Sequence, residues 1–297
     1  MRAFVRFAWL TLAVTVVVIV WGAVVRATGS GAGCGSHWPT CNGQVVPLAP
    51  TTATIIEFTH RLTSGLALVL TVVLWVWSRR LFPAGHAARA WTLAALGFMV
   101  GEAAIGAGIV LLELVENNAS VMRAVYQGVH LTNTMMLVGA MAGAIYSGRR
   151  AEGRGQREVG GTRSEVRTPF RTVSLVLMIL VAAAGAVVAL GDTLFPHASL
   201  AEGLRADFDA TSHFLIRLRL WHPILAGVAS LFAIFAYRSP LITTLIVAQV
   251  LLGVMNLLML APLALQMAHL AGSNVLWIAM VWEWLDSTNN LRPATNK

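Results

Sequence analysis

The chain has 297 residues, of which 57% are hydrophobic and only 11% charged, with a mean hydropathy of +0.72 and a formal net charge of +8. This composition excludes an ordinary water-soluble globular domain, because the apolar residues come in blocks long enough to cross a hydrocarbon core. The positive charge falls mainly on alternate connections between those blocks, which reports membrane topology, so no nucleic-acid partner is expected.

Eight spans are predicted, at about 4–25, 55–77, 90–112, 120–146, 173–190, 214–237, 241–260 and 264–285. Each reaches or approaches the roughly 20 residues that a spanning helix needs. Without barrel-type alternation, backbone groups in lipid must be satisfied within helices, so the expected fold is an all-α polytopic membrane bundle. Arg2 and Arg6, then Arg79, Arg80 and Arg89, the arginines from Arg149 to Arg171, Arg238, and finally Arg292 and Lys297 mark one side. By the positive-inside rule both termini are cytoplasmic, and a multi-pass protein of the cell membrane is expected.

The first span has a basic start and a small-residue stretch after it, but its apolar run exceeds the roughly 7 to 15 residues of a signal-peptide core, so a retained helix is expected. The following loop, 27–54, then lies outside and holds both cysteines, Cys34 and Cys41. In a Gly-rich, uncharged loop on the oxidising side, these are expected to form a disulfide, the alternative being two free thiols. A zinc site lacks ligands, since His37 is the only other obvious one in the loop. Spacing leaves open whether the disulfide is a staple or redox-active.

Further along, four histidines stand in the outer thirds of four different spans: His60, His130, His222 and His269. Ionisable groups inside a membrane are costly, which makes them functional candidates. The two halves of the chain superimpose in sequence, with His60-Arg-Leu-Thr-Ser-Gly65 falling on His222-Pro-Ile-Leu-Ala-Gly227, and His130 on His269. Two pseudo-repeated four-helix bundles follow, 1–147 and 169–297, joined by an Arg- and Gly-rich cytoplasmic linker at 148–168 that is expected to be flexible and free to meet anionic lipid head groups. Each half supplies two imidazoles from facing helices, which suits iron in a porphyrin better than four-ligand zinc. The alternative is plain interhelical hydrogen bonding.

The halves differ three residues before their first histidine, where Glu57 precedes His60 and Arg219 precedes His222. A carboxylate beside a reacting group can take a proton, position water or stabilise positive charge. The alternative for Glu57 is a surface pair with Arg61. Arg217 and Arg219 are candidates for haem propionates, or else snorkel to the interface. His37, His86, His197 and His213 are assigned no role.

The residues now resemble a known family. Glu57-Phe-Thr-His60-Arg61, the Cys34/Cys41 loop, Tyr126-Gln-Gly-Val-His130-Leu-Thr-Asn133, Leu190-Gly-Asp-Thr-Leu-Phe-Pro196, Arg219-Leu-Trp-His222-Pro223 and Ala261-Pro-Leu-Ala-Leu-Gln266-Met-Ala-His269-Leu together resemble the haem A synthases over nearly the whole chain. The resemblance implies an oxidoreductase that converts a ring methyl of haem O to a formyl group by successive hydroxylations, giving haem A for terminal oxidases. It implies that His222 and His269 ligate a resident haem b, that His60 and His130 frame the substrate haem, and that Glu57 is the catalytic carboxylate. A haem O synthase and an electron donor are the implied partners, and a homo-oligomer is compatible with the sequence. The match is weaker at Glu102, where glutamine is more often expected, and which either tunes the first pocket or bonds a neighbouring helix. The rival reading is a di-haem b membrane cytochrome passing electrons from quinol without converting a substrate.

Overall fold

The computed structural model describes residues 1–153 and 167–289. Its helices are α1 (Arg2–Ala27), α2 (Thr52–Leu81), α3 (Ala87–Leu111), α4 (Val121–Ala151), α5 (Thr168–Leu194), a short α6 (Leu200–Phe208), α7 (Phe214–Arg217), α8 (Trp221–Tyr237), α9 (Pro240–Leu258) and α10 (Leu263–Asn289). With α7 and α8 taken together, eight helical segments are long and apolar enough to cross a membrane, and there is no β-strand among the described residues. The chain is a multi-pass, all-α membrane protein.

Local chemistry sets the helix ends. Thr51 accepts the Thr54 N–H (3.2 Å) at the start of α2, and Ser120 accepts the Arg123 N–H (3.2 Å) at the start of α4. These hydroxyls satisfy amide donors that a helix start leaves without partners. Pro240 opens α9 at a position where its missing N–H costs nothing.

The sixth span departs from the continuous helix predicted at 214–237. Residues Leu218–Leu220 tighten into a 3-10 turn between α7 and α8. Pro223 is the cause: it has no N–H for the Arg219 carbonyl and its ring crowds that carbonyl, so the backbone winds into a narrower turn with fewer residues just before His222. Helix α6 was not expected at all. Ser199 accepts the Glu202 N–H (3.2 Å), while the Glu202 carboxylate accepts the Ala198 N–H (3.1 Å), a reciprocal cap that holds this short helix in the connection between α5 and α7. The linker assigned to 148–168 begins inside α4, which continues to Ala151; its residues 154–166 lie outside the described residues, as do Arg292 and Lys297.

Helix α1 packs on α2, α3 on α4, α5 on α8 and α9 on α10, while α1 and α4 meet α5 and α10 across the middle. The main core gathers Phe4, Leu12, Leu74, Leu137, Met141 and Ile145 with Trp277 and Val281 of α10. Helix α4 is the most buried span, and its small residues let large side chains approach its backbone. Trp91 lies against Gly143 and Trp277 against Gly139. The indoles of Trp277 and Trp282 donate to the Met135 (2.7 Å) and Ala142 (2.9 Å) carbonyls, so α10 is hydrogen-bonded directly to α4.

The loop between α1 and α2 is fastened to the N-terminal end of α2. Cys34 and Cys41 form a disulfide, and both are buried. The Gly33 carbonyl accepts from Thr54 Oγ1 (2.8 Å), and Gly33 itself lies so close to α2 that an added Cβ would stand 2.4 Å from the Ala53 carbonyl carbon. Gly33→Val is therefore expected to lift the loop off α2, cost about 1–3 kcal/mol of stability, and speed reduction of the disulfide by a membrane-impermeant phosphine. Thermal unfolding and reduction kinetics equal to wild type would contradict this packing.

Candidate functional site

The second histidine pair is brought together by α8 and α10. The His222 and His269 rings lie 6.4 Å apart between centroids, with planes at 85°. His222 Nδ1 is 3.1 Å from the Val181 carbonyl of α5. A carbonyl can only accept, so Nδ1 carries the proton and Nε2 keeps its lone pair. One turn along α5, Gly185 leaves room for the ring: an added Cβ would lie 2.9 Å from His222 Cε1. The His269 ring lies against Gly253 of α9, and its backbone carbonyl accepts from Gln249 Nε2 (3.1 Å). His269 Nδ1 is buried without a hydrogen-bond partner.

This donor set can be tested against an iron porphyrin. Imidazoles on opposite sides of one metal, each with a metal–nitrogen bond of about 2.0 Å as at zinc, have ring centroids about 6 Å apart. The pair at 6.4 Å fits. Among the described residues no three His, Cys, Asp or Glu side chains come together as a metal site, so the arrangement suits a metal that brings its other ligands with it.

The first pair comes from α2 and α4. His60 lies against Gly22 of α1, where an added Cβ would stand 2.9 Å from Cε1, and its Nδ1 is buried without a partner. His130 is held differently, with Nδ1 3.0 Å from Glu102 Oε2 of α3. Glycines Gly22 and Gly185 thus occupy matching places against the first histidine of each half.

Glu57 is 3% exposed, and both its oxygens are engaged. Oε2 accepts the Cys34 N–H (2.8 Å), and Oε1 accepts from Arg61 Nε (3.1 Å) and Nη2 (2.5 Å). Arg61 continues to the His37 (2.6 Å) and Thr40 (2.7 Å) carbonyls. The pair with Arg61 exists, but beneath the disulfide loop rather than on an open surface. One carboxylate thereby ties the loop to the helix turn that carries His60.

Arg219, at the corresponding place before His222, is also surrounded by protein. Nε stands 3.0 Å from Asp192, and Nη2 donates to the Gly191 (2.9 Å) and Phe195 (2.6 Å) carbonyls. Asp207 follows at 3.9 Å, and burial pushes its carboxyl above the usual range while Arg219 pulls it back. Arg217 is exposed, with a 3.5 Å contact to the Ala210 carbonyl. His86 and His213 cap α3 and α7, and His197 lies 3.9 Å from Glu202.

Sequence reasoning passed over Arg26. From the C-terminal end of α1 it donates to the Ala189 carbonyl, Thr193 Oγ1 (2.5 Å) and Gln266 Oε1 (2.9 Å), bridging to α5 and α10. Its basic charge at the end of an apolar run reads as a surface anchor; only its distant partners reveal a clamp. The glycine seats were also missed, although Gly22 and Gly185 precede their histidines by nearly equal stretches of sequence.

Comparison with known proteins follows the same outline. The chain is 42% identical over 290 residues to a protein of Thermus thermophilus named protoheme IX farnesyltransferase, covering 93% of this chain and 47% of that protein. It is thus similar to about half the length of that relative. It is also 42% identical over 112 residues to a heme A synthase of Geobacillus kaustophilus, covering 37% of this chain and 35% of that protein. A heme A synthase of Alkalihalophilus pseudofirmus is 39% identical over 95 residues, 32% of each chain. Residues 5–281 match the COX15-CtaA family, described as cytochrome oxidase assembly protein. The chain belongs to that family.

Proposed function

We propose that the protein is a haem A synthase, oxidising a ring methyl of haem O to the formyl group of haem A. The observation that carries this reading is the facing His222–His269 pair, at a separation suited to one iron, in a chain of the COX15-CtaA family. His222 and His269 would hold haem b, which supplies one-electron transfer when bound. His60 and His130 would frame the substrate, with Glu57 as the carboxylate closest in sequence to the reacting pair. The positive-inside pattern supports cytoplasmic termini and an outer Cys34/Cys41 loop in the cell membrane.

The chain's own groups then have distinct tasks. Val181 and Gly185 orient the His222 ring. Cys34 N–H and Arg61 orient the Glu57 carboxyl group by hydrogen bonds to both its oxygens. The disulfide loop closes over that carboxylate and keeps bulk water from it. Arg217 is the candidate for a propionate on the exposed side, and Arg219 would reach one only by sharing its present partners. A haem O synthase is the proposed source of substrate, supported by the Thermus relative, which bears a protohaem farnesyltransferase name on a chain about twice as long.

The direct test is to extract haems from cells making this protein together with a haem O synthase and identify them by mass. Haem A appearing only when the protein is present supports the function; haem O alone contradicts it. His222→Ala or His269→Ala is expected to lose haem b, whereas His60→Ala or His130→Ala keeps most of it and loses conversion. Equal haem b loss in all four would contradict the division of sites.

Glu57→Gln is expected to retain haem b while haem O or a hydroxylated product accumulates. An amide can satisfy only one of the two donor sets around Glu57, so about 1–3 kcal/mol of stability should be lost as well. Near-normal haem A output would remove the carboxylate from the chemistry. Cys34→Ser is expected to destabilise or slow the enzyme with haem b retained. Loss of the haem b spectrum in that variant would assign the loop to haem binding instead.

A further inference from the structure

Glu102 is a carboxylate within a membrane span, with a side chain only 17% exposed, and the proposed reaction gives it no task. Its polar contacts among the described residues come from one face of α4. Oε2 lies 3.0 Å from His130 Nδ1, a charge contact outside hydrogen-bond alignment. Oε1 accepts from Asn133 Nδ2 (2.6 Å) and Thr134 Oγ1 (3.1 Å). Positions 130, 133 and 134 share a helix face, so three neighbours converge on one carboxyl group. Asn133 also donates to the Phe98 carbonyl (2.8 Å), and it lies against Gly101, where an added Cβ would meet Asn133 Oδ1 at 2.9 Å. The cluster is closely packed as well as hydrogen-bonded.

The second half holds a different group in the corresponding place. Glu102 stands four residues before Gly106, and Gln249 four residues before Gly253. Gln249 is a neutral amide whose Nε2 bonds the His269 backbone carbonyl, not its ring, and whose Oε1 is buried without a partner. His269 Nδ1 has no partner either. His222 Nδ1 faces only the neutral Val181 carbonyl. Of the four histidines, His130 alone has a side-chain carboxylate at Nδ1 among the described residues.

We propose that Glu102 is the positioning residue of the N-terminal site, fixing the His130 ring with Nε2 free and making it the most electron-donating of the four imidazoles. A carboxylate at Nδ1 orients an imidazole and raises the basicity of its other nitrogen. Negative charge there also favours the more positive oxidation state of whatever Nε2 binds. The two sites therefore differ in reduction potential through residues of α3 and α9, quite apart from Glu57. This inference rests on the haem reading above.

The test is a spectroelectrochemical titration of the full-length purified protein, made together with a haem O synthase so that both sites can fill. The N-terminal component is the one that His60→Ala removes. Glu102→Gln keeps an acceptor oxygen for Asn133 and Thr134 and removes the charge, so a merely structural Glu102 would leave the potential unchanged. The expected result is an upward shift in the midpoint potential of the N-terminal component, with the other unmoved. An unmoved N-terminal potential, or equal shifts of both components, would overturn the proposal. Gln249→Glu provides the reciprocal test should Glu102→Gln fail to fold: the component that His269→Ala removes should shift downward, and an unchanged value would overturn the proposal. Absence of any porphyrin band in the wild type would instead overturn the haem reading, and this inference with it.

Discussion

An imidazole inside a hydrocarbon layer needs a defined place for both of its nitrogens, and the architecture around the four central histidines is organised by that need. Burying a polar nitrogen without a partner costs free energy, and in lipid there is no water to repair the loss. His222 solves half of this through the Val181 carbonyl. His60, His130 and His269 keep a buried Nδ1 without a hydrogen-bond partner, that of His130 standing 3.0 Å from a Glu102 oxygen. Glycines at 22, 185 and 253 allow rings to lie against neighbouring helices, so helix spacing and ring placement are set together.

Contacts beyond the histidines serve this arrangement in different ways. In the first half, Glu57 joins the disulfide loop to the turn of α2 that bears His60, so a movement of the loop is felt at the histidine. In the second half, Arg219 gathers Asp192 and two carbonyls around the turn preceding His222. Arg26 links the C-terminal end of α1 to α10, and α4 is joined to α10 through Trp277 and Trp282. The histidine pairs are thus held in a frame fastened at both places.

Much of this frame is legible in the sequence, for identifiable reasons. Long apolar runs have only one way to satisfy their backbone in lipid, so the spans could be read from hydropathy alone. Cys34 and Cys41 pair as expected because seven positions of a Gly-rich loop close readily. Other features depend on neighbours that sequence separation hides. Pro223 was visible, but the 3-10 turn before it follows from how the freed carbonyl is accommodated. Arg26 finds its partners on α5 and α10, far along the chain, and Glu102 could not be assigned to His130 until α3 and α4 were seen side by side. The Ser199–Glu202 cap was present in the sequence, but a helix this short carries no long apolar run to mark it.

The central claim is that paired imidazoles hold iron porphyrin inside this bundle. Its most direct test is the electron paramagnetic resonance spectrum of the oxidised, purified protein, recorded beside its visible absorption. The account predicts a low-spin ferric signal of an iron with two axial nitrogens, present in the wild type and abolished in its C-terminal component by His269→Ala. Protein that is folded, inserted in membranes and supplied with haem, yet shows neither that signal nor porphyrin absorbance, would contradict it.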